Sequence, residues 1–343
     1  MESDVIILAI ETSCDDTSVA ISFNNTILSN LTAGQKIHEL YGGVVPELAS
    51  RDHQKNIIPV LHESLKQANI TLNQVDAIAF TNGPGLSGSL LVGSSVAKSL
   101  ALSLNKPLIA INHMHGHILA HFIKKTENQQ LPSFPFLCLT VSGGHTQIVK
   151  LNDHFNIEII GETIDDAVGE AFDKAAKILG LTYPGGPLID KLAQQGNPKR
   201  FTFSESKMDG YNYSFSGIKT SFLYFIQENL KTDPEFIQNN LNDICASYQH
   251  HLISVLLKKL TKAAKDLNIN EIAIAGGVSA NSDLRNQLLI SEKNQNWKVF
   301  IPPFEYCTDN AAMIAITAYY KFLNKDFSKL SVVPNPRMKF NSR

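Results

Sequence analysis

Charge is scarce in this chain. Only 18% of its 343 residues are Asp, Glu, Lys or Arg, against about 25% in an ordinary globular protein. Together with 43% hydrophobic residues, that excludes a disordered chain and a long solvated coiled coil. No sign of charge dominates either. A formal net charge of −2 excludes a uniformly basic nucleic-acid coat, and leaves a nucleic-acid partner to a local patch or a helper subunit. The four cysteines, Cys14, Cys138, Cys245 and Cys307, form no C-x-x-C pair. They read as reduced thiols in a cytosol, not as a disulfide framework. No apolar run approaches the ~18 residues of a membrane-spanning helix. The acidic opening Met1-Glu2-Ser3-Asp4 has no signal-peptide or transit-peptide character. The expectation is a soluble cytoplasmic protein with no membrane contact.

At roughly 150 residues per domain, the length fits two domains or two halves of one large fold. Strands are expected at 5–11, 17–23 and 26–32, then a helix at 46–68 kinked or split by Pro59. A buried strand at 77–81 leads through a glycine-rich loop to a helix ending near Leu104. A strand at 108–111 and a histidine-rich helix follow. After a Pro-containing linker at 131–135 the plan restarts. Strands are expected at 136–141, 146–151 and 157–162, and helices at 168–179 and 187–195. An aromatic, irregular stretch covers 200–217. Helices near 221–229 and 242–267, a strand at 271–275, a helix, a short strand at 299–301 and a last helix at 309–323 complete the chain. The two segments share one plan of strand, hydroxyl-bearing turn, strand, strand and helices. A duplicated mixed α/β core is the expected fold class. Lobes of 1–132 and 133–343 follow, with the last helix, about 309–325, a candidate to pack back on the first lobe. From Lys321 onward Lys321, Lys325, Lys329, Arg337, Lys339 and Arg343 face only Asp326. That tail is either a solvated end or a phosphate contact.

Five clusters could carry chemistry. In Asn112-His113-Met114-His115-Gly116-His117, His113 and His117 are i and i+4 on one helix face, where two imidazoles can share a metal or simply sit in a core. His115 points elsewhere. Met114 stands where zinc proteases of the H-E-x-x-H type carry their general-base Glu, which weakens a peptidase reading. Gly83-Pro84-Gly85-Leu86-Ser87-Gly88 formally matches G-x-G-x-x-G. The next strand ends at Asn112 without an acid, so it reads as a tight loop and not as a dinucleotide site. Ala275-Gly276-Gly277-Val278-Ser279-Ala280-Asn281 allows a flat ligand near the backbone, with Asn281 on an adenine or ribose edge, or is a helix start capped by Ser279. Asp173, before Tyr183-Pro184-Gly185-Gly186-Pro187 and Asp190, either holds ribose hydroxyls or is solvated. In Cys307-Thr308-Asp309-Asn310, Thr308 or Asp309 caps the last helix, or Asp309 completes a two-His-one-carboxylate site.

Taken together and in order, these clusters resemble one family. Glu11-Thr12-Ser13-Cys14-Asp15, Tyr41-Gly42-Gly43-Val44-Val45-Pro46-Glu47, the His113/His117 pair, Val141-Ser142-Gly143-Gly144-His145-Thr146, Gly169-Glu170-Ala171-Phe172-Asp173-Lys174, Tyr183 to Pro187, Ser214-Phe215-Ser216-Gly217, Ala275 to Val278 and Cys307 to Asn310 closely resemble the bacterial tRNA N6-adenosine threonylcarbamoyltransferase family, once described as O-sialoglycoprotein endopeptidases. The match spans nearly the whole chain except the last ~20 residues. The resemblance implies an α/β fold of the actin/hexokinase/Hsp70-like class, two-lobed, with a duplicated β-rich core. It implies transfer of a threonylcarbamoyl group from threonylcarbamoyl-AMP to N6 of adenosine 37 in tRNAs reading ANN codons. It further implies one divalent metal, iron ahead of zinc, on His113, His117 and Asp309, and an adenylate site lined by Thr140, Val141, Ser142, Gly143, Gly144, Asp173, Gly186, Asp190 and Asn281. The expected partners are tRNA, a paralogous subunit lacking the metal set, and a small ATPase, with a separate synthase making the adenylate. Glu11, at the first turn, is a candidate for proton handling or metal-water orientation. Family members commonly carry Glu where this chain has His115. A metallopeptidase and a small-molecule kinase of the same fold are the rival readings, with an inactive paralogue-like scaffold behind them.

Overall fold

In the computed structural model, residues 4–35, 38, 41, 43–205 and 208–340 are described. Gly42 of the Tyr41–Glu47 motif, the opening residues 1–3 and Arg343 of the basic tail lie outside them.

Strands form where apolar residues run continuously between polar turns. β1 (Ile6–Glu11), β2 (Thr17–Phe23) and β3 (Thr26–Ala33) make an antiparallel meander. β4 (Ala77–Gly83) adds parallel to β1, and β5 (Leu108–Asn112) parallel to β4, giving the order β3-β2-β1-β4-β5. The second sheet repeats this strand for strand. β6 (Phe136–Val141), β7 (Thr146–Leu151) and β8 (Ile157–Glu162) form the meander. β9 (Glu271–Ala275) lies parallel to β6, and β10 (Lys298–Phe300) parallel to β9. The inner strands β1, β4 and β6 are buried almost end to end, as expected for strands covered on both faces.

Two compact units follow. One comprises Met1–Leu131 with Pro302–Arg343, the other Pro132–Ile301. The sequence expectation ran the second lobe to the C-terminus with the last helix as a possible exception. In the structure everything from Pro302 groups with the first unit. The first unit holds α1 (Pro46–Ala68), α2 (Ser87–Leu104), α3 (His113–Leu119) and α9 (Ala311–Leu323). The second holds α4 (Val168–Ile178), α5 (Gly185–Ala193), α6 (Ser216–Thr232), α7 (Phe236–Leu267) and α8 (Ser282–Gln295). Every residue from Ala311 to Tyr319 is buried, so α9 is a core helix, apolar all round.

α1 runs unbroken through Pro59 instead of splitting there. α1, α2, α7 and α8 all stop on an asparagine, Asn69, Asn105, Asn268 and Asn296, with φ of 52–55°. Asparagine enters this left-handed region more readily than other residues bearing a side chain, and it closes the last turn through its N–H. α6 begins at Ser216, five residues before the expected start. The carboxylate of Asp165 accepts the N–H groups of Phe215 and Ser216 at 2.8 and 3.3 Å, so a residue far back in the chain starts the helix.

Candidate functional site

Register brings the first cluster together. Leu8 and Ile10 of β1 pack with Ile57 and Leu61 of α1 and with Ala97 and Ala101 of α2. Strand alternation then turns Glu11 to the opposite face. Ile10 pairs with Phe80 of β4, so the next residues, Glu11 and Thr81, are neighbours. The Thr81 hydroxyl donates to Glu11 Oε2, and the Ser13 N–H donates to Oε1 at 2.5 Å. β5 ends in α3, whose N-cap Asn112 accepts the Met114 N–H at 2.9 Å. A Cβ at Gly116 would meet Met313 Cγ at 3.1 Å and Ile314 Cδ1 at 3.2 Å. Its absence lets α3 lie directly on α9. The N-cap of α9 is Asn310, accepting from Met313 N–H at 3.0 Å, rather than Thr308 or Asp309. The next two N–H groups go to Ser18 Oγ and Asn30 Oδ1. The Asp309 carboxylate is therefore left to face α3.

Three donor atoms converge there. His113 Nε2 and His117 Nε2 lie 3.1 Å apart. Asp309 Oδ1 lies 3.3 Å from the first and 3.2 Å from the second. A tetrahedral ion with bonds of about 2.0–2.1 Å sets its ligand atoms about 3.3 Å apart, so the triangle has the size of one face of such a site. His113 is held from behind. Its Nδ1 lies 3.1 Å from Glu11 Oε2 and 3.2 Å from Ser13 Oγ. With Nδ1–H donated to the carboxylate, Nε2 presents its lone pair to the triangle. Nδ1 of His117 is buried with no hydrogen-bond partner among the described residues, so Nε2 alone fixes this ring. His115 points away, as expected. Burial pushes its imidazole down to about 4, and its Nε2–H donates to Phe340 O at 2.8 Å.

The electrostatics favour positive charge within this cluster. Burial alone would lower the His113 imidazole, but the Asp309 and Glu11 carboxylates on either side hold it well above the usual range. Burial would raise Asp309 and Glu11; the His113 charge reverses this, and both carboxyls sit below their ordinary values. Nearby Asp16 is pushed up to about 7, first by burial and then by Asp15, Asp309 and Glu11. A buried set of two imidazoles and two carboxylates needs a positive charge among them, and a divalent ion on the Nε2/Nε2/Oδ1 face meets that need. The residues present fit such an ion.

The residues expected to line an adenylate site all lie in the second unit. Thr140 and Val141 are fully buried in β6, and the Thr140 hydroxyl faces Cys138 Sγ. Ser142, Gly143 and Gly144 form the turn into β7. The turn closes through the Ser142 N–H donating to His145 O at 2.8 Å. It packs against the first turn of α4, where the Gly169 N–H donates to Ser142 O. On its other side stands Gly276, whose φ of +87° and contact with Val141 O admit only glycine. A Cβ at Gly143, Gly144 or Gly277 would meet nothing within 4 Å, and none of the three has a positive φ. Neither the backbone nor internal packing calls for glycine there, so these positions leave room for something outside the chain.

Asp173 Oδ1 accepts the Gly185 and Gly186 N–H groups at 2.9 and 3.3 Å; it anchors the start of α5 instead of being merely solvated. Gly186 and Asp190 are i and i+4 on α5. Asp190 Oδ1 accepts from Ser282 Oγ at 2.6 Å and from Gln249 Nε2 at 3.0 Å. Asn281 donates to Gln249 Oε1 at 2.7 Å and caps α8 through the Leu284 N–H. Asn281 is thus the cap, and Ser279, offered for that role by the sequence, is buried with its hydroxyl unpartnered. Gln249 is the residue that sequence reasoning missed. Its signal was a polar side chain inside the apolar face of α7, where it is buried.

Known proteins place these features in one family. The sequence profile of the family described as tRNA N6-adenosine threonylcarbamoyltransferase matches residues 26–316. The protein of that name from Christiangramia forsetii is 62% identical over 339 residues, covering 99% of each chain. That from Porphyromonas gingivalis is 56% identical over 339 residues, covering 98% of this chain and 99% of its own. Among solved structures, HypF of T. kodakarensis superposes with a TM-score of 0.60 at 13% identity, over 95% of this chain and 48% of that one. The ROK hexokinase of Thermus thermophilus gives 0.50 at 12% identity, over 93% and 100%. These two likenesses show the actin/hexokinase/Hsp70-like fold. The chain belongs to the tRNA N6-adenosine threonylcarbamoyltransferase family, and is a transferase.

Proposed function

We propose that this enzyme transfers the threonylcarbamoyl group of threonylcarbamoyl-AMP to N6 of adenosine 37 in tRNAs reading ANN codons. The N6–carbon bond forms, the carbon–oxygen bond to the phosphate breaks, AMP leaves with the electron pair and N6 loses a proton. What supports this most is the converging triangle of His113, His117 and Asp309 in a chain related to these transferases along nearly its whole length.

Adenine N6 is a weak nucleophile, so catalysis must fall on the carbonyl and the leaving group. A divalent ion on His113, His117 and Asp309, iron ahead of zinc, supplies Lewis-acid activation of the carbamoyl or phosphate oxygen when bound. Glu11 fixes the His113 tautomer. It faces Nδ1, behind the ring, which fits a positioning role better than general-base work at the open face. In the second unit the N–H groups of Gly143 and Gly144 donate to no group among the described residues, and suit the adenylate phosphate. Asp173 keeps Oδ2 for a ribose hydroxyl while Oδ1 holds α5. Thr140, Val141 and Ser142 shape the turn, and Gly186, together with Asp190 and Asn281 tied through Gln249, completes the lining. We place the reaction in the cytoplasm, with the paralogous subunit and the small ATPase as partners. No described helix is long and apolar enough to cross a membrane.

The peptidase reading lacks the general-base Glu that zinc proteases of the H-E-x-x-H type carry after the first histidine, since Met114 stands there. The kinase reading leaves the His/Asp set without a task. The test is to mix purified chain, partner subunits, threonylcarbamoyl-AMP and unmodified tRNA, and to resolve the nucleosides by mass spectrometry. The proposal expects a threonylcarbamoyl-adenosine peak that chelator abolishes and added metal restores. A peak indifferent to chelator contradicts the metal's part, and no peak with all components present contradicts the reaction.

A further inference from the structure

The residues after α9 run back over the first unit and are tied to it at short intervals. Lys98 reaches Val332 O. The Asn335 N–H donates to Asn82 O at 2.7 Å, and the Gly85 N–H to Pro336 O at 3.2 Å. Asn112 Nδ2 donates to Lys339 O at 3.1 Å. His115 Nε2 donates to Phe340 O at 2.8 Å, and the two rings lie 5.0 Å apart. The ends of these bonds are not scattered. Asn82 follows Thr81, which holds Glu11. Asn112 precedes His113. His115 lies between the two histidines of the donor triangle.

We propose that the C-terminal strap, residues 335–340, is a positioning element of the metal centre, and that His115 is the latch joining it to α3. The inference rests on the metal reading given above. α3 has only seven residues, too few to hold its own orientation. Its place is set by what grips it: α9 through Gly116 on one side, and the strap through Asn112 and His115 on the other. A donor triangle with edges of 3.1–3.3 Å tolerates little movement of the helix that carries two of its corners. A carboxylate at position 115 cannot donate to a carbonyl oxygen, so the histidine is what makes this latch.

The experiment compares the full-length chain with His115→Phe, His115→Gln and Phe340→Ala. His115→Phe keeps an aromatic ring on Phe340 and removes the donor, whereas His115→Gln keeps a donor. Each protein is titrated with Zn2+ or Co2+ alone, and amide exchange is followed across residues 112–119. His115→Phe and Phe340→Ala are expected to weaken metal binding about tenfold, as loss of outer-shell support does at metal sites. The double variant is expected to lose little more than either single one. His115→Gln is expected to stay near wild type. Wild-type affinity in both His115→Phe and Phe340→Ala overturns the latch. If the wild type itself takes up no metal, the metal reading fails on its own. Exchange then decides: faster exchange in α3 alone in both variants supports the strap's positioning role, and unchanged exchange overturns it.

Discussion

Glu11 is the residue on which the proposed chemistry of the first unit turns, although it does not touch the open face of the donor triangle. It is fully buried, accepts from Ser13 and Thr81 and faces His113 Nδ1. Glu11→Gln keeps the shape and removes the charge that fixes the tautomer. Metal affinity should fall by about 10–100-fold with little change in thermal midpoint, as read by Co2+ titration beside a melting curve. Unchanged affinity would return Glu11 to a proton-handling role. Gly143 tests the second unit in the same way. A Cβ added at Gly143 comes within 4 Å of no atom beyond its chain neighbours, so the fold should stand in Gly143→Val, while KM for threonylcarbamoyl-AMP should rise at least tenfold, about 1.4 kcal/mol of lost binding. A melting point that falls while KM holds would make Gly143 a structural residue.

At the scale of elements, what could be read locally was read. Strands and most helices follow from apolar runs between polar turns. The His113/His117 pair follows from helical spacing, because both residues share one short helix. The elements that eluded the sequence are those fixed by distant partners. The start of α6 is set by Asp165, whose carboxylate also accepts from the Ser214 and Ser216 hydroxyls. The cap of α9 is Asn310 because Ser18 and Asn30, nearly 300 residues away in sequence, take the following N–H groups. Burial would raise the Asp165 carboxyl, but these hydrogen bonds more than offset it and hold it below the ordinary 3.8. A carboxyl lowered by folding contributes stability above the ordinary value, and that contribution is lost as pH falls through the folded one. Asp165→Ala should therefore cost about 1 kcal/mol at pH 7, as a lost helix cap does. The gap to wild type should be smaller at a pH below the ordinary 3.8, narrowing further as pH falls through the folded value. Urea midpoints at the two pH values check this; a gap independent of pH would assign the loss to packing.

For the whole molecule, the duplicated sheets were legible as a repeated plan. Residues 302–343 belong with the first unit, a grouping raised by the sequence only as an option for the last helix. Nothing local distinguishes a helix that returns across the chain from one that stays. The basic tail carries Lys325, Lys329, Arg337 and Lys339 exposed to solvent but is not a loose end. Lys321 is paired with Asp326 at 2.9 Å and bonded to Ala110 O, and the strap beyond it is fastened to the first unit. The return of α9 is what gives the proposed metal centre its carboxylate, so the central claim can be tested at Asp309. Wild type and Asp309→Ala are assayed for bound metal and for threonylcarbamoyl-adenosine on the same samples, with circular dichroism as the check on folding. The account predicts that Asp309→Ala stays folded and loses both metal and product. A folded, fully active Asp309→Ala protein would contradict it.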